Sequence, residues 1–287
     1  MQAMDKADMF SSFLKASGKS VNTIKGYVLD IKQYFKWFEE SYGQECAALY
    51  RQNVLDYVAY LKNVKINNAR TINHKLSSLR SYNDFLISLG IQNDTIVQKT
   101  DMLKVQAEYA SPTKVTELEV KQFMQKVLES KNKRNYAIVV LLAYTGTRIS
   151  EALSIWLNDF DLQTGECIIR NGKGDKQRIV LMNTKTVNAL RDYIKNRSQS
   201  GKAGASKFLF VSRTSENLDR TAVNRIFKQY SPKITPHQLR HFFCTNAIEK
   251  GLSIHEVANQ AGHSNINTTL LYTNPDKAKL KSKMELL

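Results

Sequence analysis

Apolar residues recur at steps of three and four through the first third of the chain. In SVNTIKGYVLDIKQYFKWF they fall at Ile24, Tyr27, Val28, Ile31, Tyr34, Phe35 and Phe38. That spacing is one face of a helix, and Ser20 precedes it as an N-cap. RQNVLDYVAYLKNV predicts a shorter helix through Val54, Val58 and Leu61. NARTINHKLSSLRSYNDFLISLG predicts another, with Ile72, Leu76, Leu79 and Leu86 inward and Gly90 as its stop. Its polar side carries Arg70, Lys75, Ser77, Ser78, Arg80 and Ser81, cations mixed with hydroxyls that suit phosphates and base edges. A solvated helix face is the alternative reading.

Periodicity fades over QKTDMLKVQAEYASPTKV, which contains Pro112. A linker over residues 109–115 therefore separates a helical domain, 1–108, from a second domain, 116–287. A helix starts after Thr116, with Glu117 and Glu119 in its first turn. YAIVVLLAY, residues 136–144, is apolar all round, as a buried helix is. Gly146 breaks it, and RISEALSIW opens the next.

The period then changes. ECIIRNGKGDKQRIVLM reads as two short strands, Cys167 to Arg170 and Arg178 to Met182, joined by a basic turn. Helical spacing returns afterwards, interrupted by the short apolar KFLFVS. The fold class is thus mainly α with a small antiparallel sheet in the second domain (α+β), the two domains forming a clamp.

Composition narrows the partner. Forty-two Lys and Arg against 26 Asp and Glu leave a charge of +16 on 287 residues. Such an excess favours a polyanion, nucleic acid before an acidic membrane surface. MQAMDKADMF lacks the basic-then-apolar pattern of a signal peptide. Nine apolar residues, the longest run, are too few to span a bilayer. The three cysteines, Cys46, Cys167 and Cys244, form neither a disulfide framework nor a CxxC metal pair. A cytoplasmic protein with no membrane partner is expected.

PHQLRHFF sets His237, Arg240 and His241 within about one helical turn. A zinc hydrolase helix needs His-Glu-x-x-His. Here the glutamate is missing and an arginine stands beside the site, so no metal is expected. GKG at 172–174 lacks the remaining parts of a Walker loop, and Asp159 and Asp161 lack a third ligand. Phosphate suits these residues better. Arg148, in AYTGTRISEAL, and Arg240 can clamp the non-bridging oxygens of one phosphodiester. Each arginine also has a structural reading, Arg148 as the partner of Glu151. Tyr272, in GHSNINTTLLYTN, is a nucleophile only where cations hold a phosphate beside it.

Arg148 in TGTRISEAL, Lys173 in the hairpin turn, His237-x-x-Arg240, Gly262-His263 and Tyr272 occur in that order. The set strongly resembles the tyrosine recombinase (phage integrase-like) family over nearly the whole chain, with a length similar to Xer-type and transposon-borne resolvase members. Ala261 stands where the family usually has leucine before Gly-His. The resemblance implies a core-binding domain followed by a catalytic domain. It implies that Tyr272 attacks the scissile phosphate to give a 3′-phosphotyrosyl link, and that a Holliday junction follows. In that scheme Arg148 and Arg240 stabilise the transition state and Lys173 protonates the leaving 5′-oxygen. His237 is a general base or phosphate donor, His263 a further donor, Glu151 a scaffold and His241 a packing neighbour. Lys176 and Arg178 would touch DNA beside Lys173, as would Arg70, Lys75 and Arg80 of the first domain.

The same resemblance implies no cofactor, no metal and no ATP. It implies a homotetramer on two DNA duplexes that carry inverted-repeat sites. In DKAKLKSKMELL, residues 276–287, Leu280, Met284 and Leu287 suggest an amphipathic tail that docks on a neighbouring protomer or on its own domain. Resolution of transposon cointegrates or of dimers is the leading task. Integration or excision, type IB topoisomerase-like relaxation, a non-catalytic DNA-binding regulator and a metal-dependent nuclease are the alternatives.

Overall fold

The structure is a computed structural model that describes residues 3–105, 115–170, 177–197, 206–212, 215–263, 265–270 and 284–285. The chain divides into two compact units, Met1–Ala107 and Glu108–Leu287. Most of the linker expected at 109–115 lies outside the described residues.

The first unit is helical: α1 (Ala3–Ala16), α2 (Val21–Tyr42), α3 (Arg51–Asn63) and α4 (Ala69–Ser88). Ser20 caps α2 by accepting from the Thr23 N–H, and Asn68 caps α4 in the same way. Gly90, at φ 68°, follows α4 in the left-handed region that favours glycine. The predicted inward residues Ile31, Tyr34, Phe38, Ile72, Leu76, Leu79 and Leu86 are all buried. Aromatic rings fill the centre. Tyr34 meets Tyr57 edge to face at 5.0 Å, and Phe10 meets Tyr82 at 5.2 Å. Such pairs add about 0.5–1.5 kcal/mol each beyond the area they bury.

The polar side of α4 differs from the sequence reading in two places. Ser78 is fully buried and donates to Asp30 of α2 at 2.7 Å. Lys75 points the same way: its Nζ lies 3.0 Å from Asp30 Oδ1 and also donates to Gln33. His74 Nδ1 makes a third contact with Asp30, at 2.9 Å. The correction has a simple cause. A buried carboxylate on α2 must be satisfied, and α4 crosses it with these three side chains. Arg70 is exposed and Arg80 partly so.

The second unit is built around α6 (Lys133–Thr145), with α5 (Glu117–Glu129), α8 (Thr184–Arg197) and α10 (Pro236–Glu249) packed on it. As predicted for an all-apolar helix, every residue from Ala137 to Ala143 is buried. Burying each of the larger aliphatic chains stabilises the unit by roughly 1.5–3 kcal/mol. Thr116 caps α5 in a capping box with Glu119. The unit also contains α7 (Ile149–Ser154), α9 (Arg220–Tyr230), α11 (Ile254–Ala261) and the short α12 (Asn267–Leu270).

Strands β1 (Glu166–Ile169) and β2 (Arg178–Leu181) pair antiparallel, with Cys167 opposite Val180 and Ile169 opposite Arg178. Both end one residue before the expected limits. Arg170, just past β1, donates through Nε to the buried Asp159 at 2.5 Å, and its guanidinium lies over the Trp156 ring. The pair of carboxylates noted in the sequence is thereby accounted for at Asp159, which also accepts from the Trp156 N–H. No helix among the described residues is long and apolar enough to cross a membrane.

Candidate active site

Three arginines meet at the C-terminal ends of α6 and α11. Gly146 ends α6 at φ 64°, and a Cβ there would lie 2.3 Å from the Phe243 ring. Only glycine lets the chain turn so tightly against α10. The turn delivers Arg148 to the N-cap of α7. Its guanidinium donates to Glu151 Oε1 at 2.8 Å and to the Gly262 carbonyl at 2.9 Å, while its backbone N–H donates to Glu151 Oε2.

Glu151 is 3% exposed and is held from two sides. Arg178 of β2 approaches opposite Arg148 and donates to both carboxylate oxygens, at 3.1 and 2.9 Å. Burial alone would raise the carboxyl pKa, but hydrogen bonds and charge from Arg178 and Arg148 bring it below its ordinary value. Arg178 was read from sequence as a DNA contact. Its side chain is 15% exposed and bonds to Glu151 and to the Ala261 carbonyl. Gly262, at φ 69°, is the space it occupies, since a Cβ there would lie 2.4 Å from Arg178 Cζ.

Arg240 comes from α10, which Thr235 caps and Pro236 opens at a position where a missing N–H is harmless. Its guanidinium is buried and donates to the carbonyls of Gly146 and Ala261, both at 2.5 Å. Neighbouring carbonyls at the end of α11 thus hold all three guanidiniums, where the helix dipole favours cations.

One turn earlier on α10, His237 is exposed, and its Nε2 lies 2.7 Å from His241 Nε2. Desolvation and the Arg240 charge lower the pKa of His237. Desolvation, His237 and Arg240 bring His241 down to about 4. His263, just beyond α11, pairs its Nδ1 with Thr269 Oγ1 at 2.7 Å. Desolvation, then Arg240 and Arg148, lower it to about 4. Both rings are therefore neutral near pH 7. Among the described residues no three histidine, cysteine or carboxylate side chains are grouped to hold a metal ion.

An open cleft of about 960 Å³ brings Arg148, His237, Arg240 and His263 together. Its far wall is α9, which contributes Thr221, Asn224, Arg225 and Lys228. The sequence reading missed this wall, although the polar residues at steps of three and one (221, 224, 225, 228) were a visible stripe. The cleft presents guanidiniums, imidazoles and hydroxyls, the donor set for a phosphodiester. Lys173, Lys176 and Tyr272 lie outside the described residues, as does most of the C-terminal tail.

Two family models match the chain. The phage integrase family covers residues 113–279, and the phage integrase N-terminal SAM-like domain covers 7–90. The chain is 65% identical over 284 residues to the TnP I resolvase of Bacillus thuringiensis, spanning 99% of this chain and 100% of that protein. It is 30% identical over 284 residues to the tyrosine recombinase XerA of Pyrococcus furiosus, spanning 96% and 91%. Two solved structures share the fold. One is the Tn1549 transposon integrase in complex with circular intermediate DNA, with a TM-score of 0.70, 21% identity and 97% and 98% of the two chains covered. The other is the XerH site-specific recombinase bound to palindromic difH substrate, with 0.71, 19%, and 96% and 84%. The matches run through both units of the chain, which belongs to the phage integrase family and is a site-specific tyrosine recombinase.

Proposed function

We propose that this recombinase cuts and rejoins DNA strands with Tyr272 as nucleophile, and that its task is resolution of transposon cointegrates or dimers. The observation that carries the chemistry is the cleft where Arg148, Arg240, His237 and His263 converge. The tyrosine oxygen bonds to phosphorus and its proton passes to His237. The bond to the 5′-oxygen breaks, and Lys173 gives that oxygen a proton. Arg148 and Arg240 stabilise charge on the non-bridging oxygens, a task that a metal ion performs in many nucleases. The covalent link stores the phosphodiester energy, so neither ATP nor a metal is required. A 5′-hydroxyl from a second duplex reverses the steps and joins the strands.

DNA is the partner, in keeping with the +16 charge and with the circular intermediate DNA bound by the related Tn1549 integrase. Four protomers act on two duplexes, with the tail at 276–287 docked on a neighbour, and the setting is the cytoplasm. Resolution is favoured over integration or relaxation by the TnP I resolvase relative.

The deciding experiment incubates the protein, in EDTA, with supercoiled plasmid carrying the DNA that flanks its gene. A denaturing gel then compares wild type with Tyr272→Phe. An adduct in wild type alone is expected. An adduct in both would move the nucleophile elsewhere. A second plasmid carrying two sites separates resolution, which yields two circles, from relaxation.

A further inference from the structure

Two imidazole nitrogens 2.7 Å apart cannot both be bare, because their lone pairs repel. Nor can both carry hydrogen. The His237–His241 contact therefore holds one proton between the two Nε2 atoms. Its owner fixes the chemistry left on the other nitrogen of His237. If His241 donates, His237 Nε2 is the acceptor and its Nδ1 carries hydrogen. If His237 donates, its Nδ1 is bare and basic.

The surroundings of the two rings differ. His237 is exposed and lines the cleft, whereas His241 sits behind it, half-buried and outside the lining. The rings stand edge to face, 89° apart with centroids at 4.3 Å, so one points its nitrogen into the plane of the other's. Arg240 acts on both rings from their own helix, and His263 acts on His241 from beyond α11. Arg148 and Arg178 reach His263, and Arg225 and Lys228 line the facing wall. Every one of these groups is cationic or neutral. A positive charge is least costly on the more hydrated ring, His237, and most costly on His241.

We propose that His241 is a positioning residue for the recombination chemistry: its Nε2 accepts a hydrogen bond from His237 Nε2–H and leaves Nδ1 as the basic nitrogen of His237. When Nδ1 takes a proton, the imidazolium keeps its Nε2–H on His241, and that bond favours the charged form. Without His241 the cationic surroundings make His237 a weaker base. This rests on His237 acting as the base, the role given to it above.

The test is long-range proton–nitrogen NMR of the full chain with labelled histidine. Five histidines are present, each assignable by its own substitution to glutamine. The expected spectrum shows His237 protonated at Nε2 and bare at Nδ1. In His241→Phe its pKa falls by about one pH unit, the worth of one hydrogen bond to a charged group. His241→Gln keeps an acceptor oxygen and restores most of that loss. Adduct formation by His241→Phe slows, and its acid limb moves to lower pH; a packing role alone would leave that limb in place. A His237 ring protonated at Nδ1 would overturn the proposal, even if His241→Phe failed to fold. So would an unchanged pKa in a folded His241→Phe. An adduct formed by Tyr272→Phe would instead sink the nucleophile reading and leave the histidine result standing.

Discussion

Each unit of this recombinase contains a buried carboxylate ringed by donors, and the two rings do different work. Asp30 joins α2 to α4 through Lys75, His74 and Ser78, and the one lysine balances its charge. Glu151 holds Arg148 and Arg178, with Arg240 bonded to the same stretch of backbone as they are. There the cations outnumber the carboxylate. The first arrangement satisfies a helix crossing. The second keeps a positive surplus beside a cleft, which is what a phosphate site requires.

Glu151→Gln breaks the comparison most severely. It removes the charge that aligns two guanidiniums, and we expect adduct formation to fall by about 10²-fold or more, with a loss of roughly 3 kcal/mol in stability. Rapid-quench cleavage and urea unfolding measure the two effects. Gly262→Ala should reach a similar end by another route: its Cβ has no room beside Arg178, and the φ of 69° adds strain. Cleavage is expected to drop about tenfold, with roughly 1–2 kcal/mol of stability lost. Cleavage unchanged in both variants would mean that the main-chain carbonyls alone hold Arg148 and Arg240 in place.

Asp30→Asn sharpens the contrast. Stability falls by about 2–3 kcal/mol because Lys75 loses its partner, while the cleavage rate at saturating DNA stays within about twofold. A large loss of cleavage there would join the two networks. The smallest effect is in pH. His241 and His263 have folded pKa values of about 4, below the unfolded value near 6.5. The unfolded chain therefore binds more protons between those limits. Their contribution to stability is complete above about pH 6.5 and drains away as pH falls toward 4. His241→Gln and His263→Gln should each flatten the decline of melting temperature across that window.

These networks also mark where sequence reading stopped. Helices α2, α4 and α6 follow from local apolar spacing, Ser20 and Thr116 begin helices through bonds within a few residues of themselves, and Gly146 ends α6 with a left-handed backbone. The candidate site was legible as an ordered set of residue types, including Arg148, His237, Arg240 and His263. What was missed spans distance. Lys75 and Ser78 looked outward because nothing near them names Asp30, 45 and 48 positions away. Arg178 looked like a DNA contact because Glu151 is 27 positions distant. Periodicity tells which residues share a face and not what that face will meet.

Arg240, Arg148 and Arg178 share one further property, in the oxygens that hold them. Gly146, Gln260, Ala261 and Gly262 all offer main-chain carbonyls. No amino-acid replacement deletes a carbonyl. Drift at Gln260 and Ala261 leaves the acceptors in place so long as the helix end keeps its shape, whereas Gly146 and Gly262 have no room for a Cβ and Glu151 is a side chain that one nucleotide change can abolish. The guanidinium cluster is thus buffered against mutation at two of its carbonyls and exposed to it at two glycines and one carboxylate.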